Sequence, residues 1–105
     1  MPLTTDASGN QFWKEDGTFH REDGPAIIWT NGDTEWYRKG RKHRIGGPAI
    51  DFISGYQEWW INGRLHREDG PAIIHECGLE EWFLNGFYKH GLSYRGKINW
   101  LKEGF

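Results

Sequence analysis

The sequence predicts a single all-β domain, an antiparallel β-meander of four tandem hairpin repeats, over residues 1–105. The strongest observation is a period of 23 residues between successive tryptophans. The composition agrees, because 16% of the residues are aromatic and fifteen glycines divide the chain into short segments. Self-similarity at a fixed period indicates a repeat architecture, and large flat side chains between turns favour strands over helices. The recurring tryptophans are Trp13, Trp36, Trp59 and Trp82.

The period divides the chain into four units of two strands each. The first strand contains the tryptophan and ends at an Asp-Gly, Lys-Gly or Asn-Gly turn, where glycine supplies the positive φ of a tight hairpin. The second strand begins at a proline, which lacks an amide hydrogen and is tolerated at a strand's first residue. Two such strands and two turns use up the period. Units one to four are expected at about 11–32, 33–55, 56–78 and 79–99, with a partial capping strand at 100–105.

The two ends of the array and its two faces are expected to differ. Unit four lacks the Gly-Pro-Ala of its neighbours, as expected of a terminal unit that must cap a sheet edge. Alternation along the second strand places Ile27 and Trp29 on one face, and Ala26 and Ile28 on the other. Asp51 occupies the Ile28 position in unit two, so we expect the alanine face to be the wetter one.

The bulk properties exclude several classes of protein. The net charge of −2 argues against a general nucleic-acid binder. A lone Cys77 cannot form an intrachain disulfide, and the first residues have neither the basic nor the apolar segment of a signal peptide. No apolar stretch is long enough to span a membrane. These features predict a soluble, cytoplasmic protein.

The pattern Trp-x-x-x-Gly-x-x-His, followed by a strand and a second glycine, resembles the MORN repeat. It is more similar still to the MORN-variant repeats of bacterial antitoxin-like and phage proteins. The resemblance covers about 11–90, and it departs from the simple repeat in the inserted His-Arg-Glu-Asp-Gly-Pro of units one and three. It implies an elongated antiparallel sheet that binds proteins or lipids, with no reaction to transfer. The antitoxin label of some relatives implies inhibition of another protein, as in phage counter-defence.

Histidines recur at one position of the repeat, at His20, His43 and His66. With two strands per unit, equivalent residues lie about 10 Å apart, twice the strand spacing. Zinc needs nitrogen ligands about 2 Å from the metal, so the three cannot share one ion. We therefore expect a structural role, in which Asp23 and Asp69 accept hydrogen bonds from the nearby His, Arg or backbone.

The recurring tryptophans are also expected to be structural. The same separation keeps Trp36 and Trp59 from stacking on each other, because stacked rings need centroids within about 7 Å. Core packing is therefore the preferred interpretation. Trp60 is different, because its counterparts are Lys14, Tyr37 and Phe83. We predict that it is exposed and anchors a partner.

Unit two carries a cluster of cations that the other units lack. Removing it would leave eight basic and fifteen acidic residues, so one basic hairpin projects from an acidic body. A run of charges is usually a solvated turn. A cluster needed for the fold would recur in every unit, however, and this one does not. A binding role for an anionic ligand or an acidic partner is the alternative. This basic cluster consists of Arg38, Lys39, Arg41, Lys42 and Arg44.

No catalytic or cofactor motif is recognisable. Cys77 and His75 could share a strand face, but no third orienting group or oxyanion donor accompanies them. We therefore expect no enzyme activity, no cofactor and no metal. The leading hypothesis is a module that inhibits or sequesters a protein partner through the basic cluster and Trp60. The alternatives are a sponge for a small anionic ligand such as a nucleotide and, more weakly, an anionic-lipid binder; a homodimer is also plausible.

Overall fold

A computed structural model describes residues 3–91, and in this segment the chain is all-β with antiparallel pairing throughout. No helix lies in it, and so none that could cross a membrane. The end of predicted unit four and the predicted capping strand at 100–105 lie outside the described residues. The strands are β1 Leu3–Thr5, β2 Gln11–Glu15, β3 Thr18–Phe19, β4 Ile27–Ile28, β5 Thr34–Glu35, β6 Tyr37–Arg38, β7 Arg41–Lys42, β8 Ile50–Asp51, β9 Gln57–Glu58, β10 Trp60–Ile61, β11 Arg64–Leu65, β12 Ile73–Ile74, β13 Glu80–Leu84 and β14 Phe87–Gly91.

The main sheet is an antiparallel meander, as predicted. Its strands follow the order β1-β2-β4-β5-β8-β9-β12-β13-β14, and β3 pairs with β2. Between β2 and β13, isoleucine-bearing strands alternate with strands that contain or directly precede a recurring tryptophan. The eight steps across this sheet span about 38 Å at the usual strand spacing. The molecule is correspondingly elongated, with extents of 48 × 24 × 16 Å.

The first strand of a unit changes partners at its tryptophan. In unit two, the Trp36 N–H donates to the carbonyl of Ala49 at 2.7 Å, whereas its own carbonyl accepts from the His43 N–H at 3.2 Å. The chain therefore leaves the main sheet at Trp36, and β6 pairs with β7 in a separate two-stranded hairpin. Unit three does the same at Trp59, where β10 pairs with β11. The sequence predicted two strands per unit, whereas units two and three each contain four short strands.

The predicted Asp-Gly, Lys-Gly and Asn-Gly turns adopt the expected conformation. Both central residues have positive φ in all four turns, which is the signature of a type I′ hairpin. Asparagine and aspartate tolerate this conformation better than other non-glycine residues. Lys39, with φ 53°, is the one lysine among the positive-φ residues of the described segment. The four pairs are Asp16-Gly17, Lys39-Gly40, Asn62-Gly63 and Asn85-Gly86.

The array begins half a unit earlier than predicted. The Asp6 N–H donates to the Asn10 carbonyl at 3.1 Å, as the Trp29 N–H does to the Asp33 carbonyl at 2.9 Å. The two turns are one period apart, and β1 pairs with β2 as β4 pairs with β5. The segment at 3–10 is therefore the second half of a preceding unit, and it covers one edge of β2.

The expectation that the alanine face is the wetter one is wrong for the alanines themselves. Ala26, Ala49 and Ala72 are 0% exposed, and Ile27 and Ile50 on the other face are 4% exposed. Each alanine lies in the interior of the sheet; Ala26, for example, donates its N–H to Glu35 and accepts from Trp13. Asp51 tolerates its half-buried position because its carboxylate accepts a hydrogen bond from Gln57 Nε2 at 3.3 Å, in addition to any contact with water.

Candidate functional site

The recurring histidines join neighbouring units. Nδ1 of His20 accepts the Lys39 N–H at 2.8 Å, and His43 and His66 accept the equivalent N–H groups of Asn62 and Asn85 at 2.9 Å. Each donor belongs to the positive-φ residue of the next hairpin turn. Nδ1 is therefore unprotonated in this arrangement. Within residues 3–91, no group of three or more His, Cys, Asp or Glu side chains could hold a metal.

The arginine after each of these histidines lies over a recurring tryptophan. The guanidinium carbons of Arg21, Arg44 and Arg67 lie 3.9, 4.1 and 4.0 Å from the ring centroids of Trp13, Trp36 and Trp59. Each guanidinium also donates from Nη1 to a proline carbonyl, at 3.0–3.2 Å. Arg44, which belongs to the basic cluster, is thus held in the same way as its two counterparts.

The glycine of Gly-Pro-Ala leaves space for this arginine. A Cβ built on Gly47 would lie 2.7 Å from the guanidinium carbon of Arg44, and Gly24 and Gly70 show the same approach to their own arginines. These glycines are buried. The guanidinium is therefore sandwiched between a tryptophan ring and a glycine, which fixes its position with little freedom.

One unit differs in what faces the arginine. Arg21 Nε donates to Asp23 Oδ1, and Arg67 Nε donates to Asp69 Oδ1, each at 3.2 Å. These contacts are the hydrogen bonds that the sequence led us to expect for the two aspartates. Gly46 occupies the corresponding position in unit two. Among residues 3–91, no carboxylate lies within ion-pair distance of Arg44.

The unit-two hairpin, β6–β7, presents three exposed cations. Arg38 lies directly opposite Arg41 in the strand pairing, and Lys39 occupies the turn between them. Like charges placed directly opposite each other destabilise a strand pair. None of the three forms an ion pair within the described part of the chain. The equivalent pairs in the other units are Glu15 with Thr18, Ile61 with Arg64, and Leu84 with Phe87.

Lys42 and Trp60 are engaged with each other and with Glu58. Trp60 Nε1 donates to Glu58 Oε1 at 2.6 Å, and Lys42 Nζ lies 4.7 Å from the ring centroid of Trp60 and 3.9 Å from the same carboxylate oxygen. Trp60 is half-buried, less accessible than we predicted. Of the residues predicted to bind a partner, Arg38, Lys39 and Arg41 are therefore exposed, whereas Lys42 and Trp60 contact Glu58 within the protein.

The glutamate that precedes each of three recurring tryptophans was missed by sequence reasoning. Glu35 accepts hydrogen bonds from Trp29 Nε1 at 2.8 Å and from the Tyr37 hydroxyl at 3.0 Å. Burial and the Glu35 charge raise the pKa of Tyr37 to about 12. Glu58 likewise accepts from the Tyr56 hydroxyl, and Glu81 lies 2.6 Å from His75 Nε2. A signal was present, since a charged residue recurs at one period inside a strand.

A cleft lies between the loops of units one and two. Its volume is about 280 Å³, and the Arg38 charge on its wall contributes, after burial, to lowering the pKa of His43. The cleft is therefore electropositive, and among residues 3–91 Glu22 is the one acidic residue on its wall. It is lined by Arg21, Glu22, Trp36, Arg38, His43, Arg44 and Ile45.

Two further features of the sequence, the Cys77–His75 pair and the fourth recurring tryptophan, show no catalytic arrangement among the described residues. Cys77 is exposed at a turn, and the His75 imidazole is hydrogen-bonded to the Glu81 carboxylate. Trp82, in β13, is half-buried, as are the other three recurring tryptophans. In comparisons with known proteins, no family model, no curated protein and no solved structure matches this chain.

Proposed function

We propose that this protein is a non-enzymatic binding module that inhibits or sequesters another protein by engaging an acidic surface of it. The observation that carries the proposal is the arrangement of Arg38 opposite Arg41 on an exposed hairpin. Such a pair costs stability in the free chain, and an acidic partner would relieve the repulsion. The resemblance to MORN-variant repeats of antitoxin-like proteins supports the same function by analogy alone.

The conformation of Lys39 supports the same function. Lysine in the left-handed region is less favourable than the aspartate or asparagine that the other three turns use. Backbone strain of this kind is found preferentially at functional sites. Lys39 thus carries a positive charge at a turn position where aspartate or asparagine would be more stable, as expected if a partner binds that charge.

The test is partner capture from host lysate, analysed by native mass spectrometry. We expect the wild type to retain a discrete protein partner, and an Arg38→Glu/Arg41→Glu variant to lose it. Arg64→Gln is the matched control, since Arg64 is the exposed equivalent of Arg41 in unit three. Retention of the same partner by the charge-reversed variant, or loss with Arg64→Gln to the same extent, would contradict the proposal.

A small anionic ligand is the second candidate function, and the cleft of about 280 Å³ favours it. Arginine binds phosphate and carboxylate, and Trp36 offers an aromatic wall for a base. A mass increment of a few hundred daltons that disappears on denaturation would support this candidate. A protein-sized increment with an empty cleft would support the first instead.

A further inference from the structure

Units one and three show how this fold binds a carboxylate at the sandwiched arginine. The carboxylates of Asp23 and Asp69 lie 3.2 Å from Nε of Arg21 and Arg67, whose guanidiniums are fixed by a tryptophan ring, a glycine and a proline carbonyl. Charge-assisted hydrogen bonds of this type are stronger than neutral ones. The repeat therefore contains a preorganised carboxylate-binding position, and two units fill it with a residue of their own loop.

Unit two has the same position without its carboxylate. Arg44 lies 4.1 Å from the Trp36 ring centroid and donates Nη1 to the Pro48 carbonyl at 3.0 Å, as in the other units. Gly46 stands where the aspartate would be, and no acceptor for Arg44 Nε exists among the described residues. The arginine is thus oriented in advance while its Nε–H remains available to an external group.

The surroundings indicate the chemistry of that group. Arg38 lines the same cleft and attracts an anion, whereas Arg21 is already paired with Asp23. Glu22 also lines the cleft and disfavours a doubly charged ligand. A singly charged carboxylate therefore suits the cleft better than a phosphate dianion. Ile45, which replaces the glutamate of units one and three, is 74% exposed beside it and offers an apolar contact.

We propose that Arg44 receives the side-chain carboxylate of an aspartate or glutamate of the partner protein, at the place that Asp23 and Asp69 occupy in their own units. This inference rests on the proposed function and specifies its central contact. The partner residue completes a motif that the other two units complete internally. Little reorganisation is needed on binding, because the guanidinium is already held.

The test uses a hexaglutamate peptide and the arginine Nε–Hε signals in ¹H–¹⁵N NMR spectra of the full chain. We expect the Arg44 signal to shift saturably on titration, with little change at Arg21 and Arg67, whose Nε–H groups are already bonded. An Arg44 shift no larger than that of exposed Arg64 would overturn the proposal. A response to inorganic phosphate but not to the peptide would overturn the choice of a carboxylate.

Two matched variants exchange the sequences of the units. Ile45→Glu/Gly46→Asp recreates the His-Arg-Glu-Asp-Gly-Pro that folds in units one and three. It should fill the position internally and weaken peptide binding about tenfold or more, since a hydrogen bond to a charged group is lost. Gly46 has φ 85°, a conformation that aspartate adopts at some cost, so thermal unfolding is needed to verify that this variant folds. Unchanged peptide affinity in a folded variant would refute the proposal.

The converse variant, Glu68→Ile/Asp69→Gly, should release Arg67 and give it a saturable response of its own. If the Arg67 Nε–Hε signal does not shift with the peptide, the carboxylate-binding position is not a general property of the repeat. The outcomes also separate the two proposals. If a partner depends on Arg38 and Arg41 while Arg44 does not respond to the peptide, the proposed function stands and this inference falls. If Arg44 responds but no partner depends on the hairpin, the carboxylate-binding position at Arg44 stands, and its assignment to a protein partner falls with the proposed function.

Discussion

The backbone N–H of Lys39 donates to Nδ1 of His20 at 2.8 Å, so a buried histidine of unit one holds the hairpin turn of unit two. His20 is 2% exposed, and water cannot easily replace the contact. Gly40 extends the same junction by donating its N–H to the Phe19 carbonyl at 2.8 Å. The unit that carries the cations is therefore positioned by its neighbour, and stability and binding are coupled at this turn.

Replacing His20 by alanine should lower the free energy of unfolding by about 1–3 kcal/mol, because the Lys39 N–H loses its acceptor in a buried position. Chemical denaturation of both proteins measures the difference. His66→Ala is the control, since the His66 side chain is 17% exposed and water can partly replace it, so its loss should be smaller. Equal stability of His20→Ala and wild type would show that the contact contributes nothing.

The stability of the protein should fall on acidification partly through His43. Burial first, and then the Arg38 charge, lower the pKa of His43 in the folded state. The unfolded chain then binds the proton more readily, so this contribution is present above the ordinary pKa of about 6.5 and is lost as pH falls through the lowered value. We expect urea unfolding between neutral and mildly acidic pH to show a flatter pH dependence in His43→Gln than in wild type. Parallel profiles would contradict this.

Replacing Lys39 by asparagine should stabilise the fold by about 0.5–1 kcal/mol, since asparagine adopts positive φ at lower cost. It should also weaken binding of the acidic partner by removing a charge. The reverse change in unit three, Asn62→Lys, should lose a similar amount of stability. Thermal or urea unfolding of wild type, Lys39→Asn and Asn62→Lys measures both changes in stability. A Lys39→Asn variant less stable than wild type would disprove the claim that Lys39 is strained.

Adding a methyl group at Gly47 should destabilise the protein by about 1–3 kcal/mol, because the new Cβ would lie 2.7 Å from the guanidinium carbon of Arg44. The φ of Gly47 lies outside the positive region, so backbone strain does not contribute. A double-mutant cycle with Arg44→Ala isolates the contact: without the guanidinium, Gly47→Ala should cost far less. Additive losses would mean that the glycine serves some other purpose.

The local features of the fold were predictable because their causes are local. The type I′ turns follow from Asp, Asn or Lys before glycine, and the alternation of strands follows from the period. The half unit before residue 11 was missed, although Gly9 continues the spacing of Gly32 and Gly55. The hydrogen bonds of Asp23 and Asp69 were also anticipated, because partners two residues apart in a tight loop are few.

The contacts that position the candidate site were not predictable in the same way. Exit of the chain from the sheet at Trp36 depends on which neighbours its N–H and carbonyl meet, and both lie in other segments. Trp60 was predicted to be an exposed anchor, but it follows the corresponding change of partners at Trp59, donates to Glu58 and is half-buried. The role of Glu35 as a shared acceptor for Trp29 and Tyr37 likewise needs the strand register.

The sequence by itself determined the period, the turns, the antiparallel sheet and the concentration of cations in one unit, since each depends on residues close together in the chain. Only the tertiary structure decided that Arg44 is held between Trp36 and Gly47 while Arg38 faces Arg41. A guanidinium's neighbours are set by packing and register between segments. The same arginine type is consequently neutralised by its own loop in two units and open to an external carboxylate in the third.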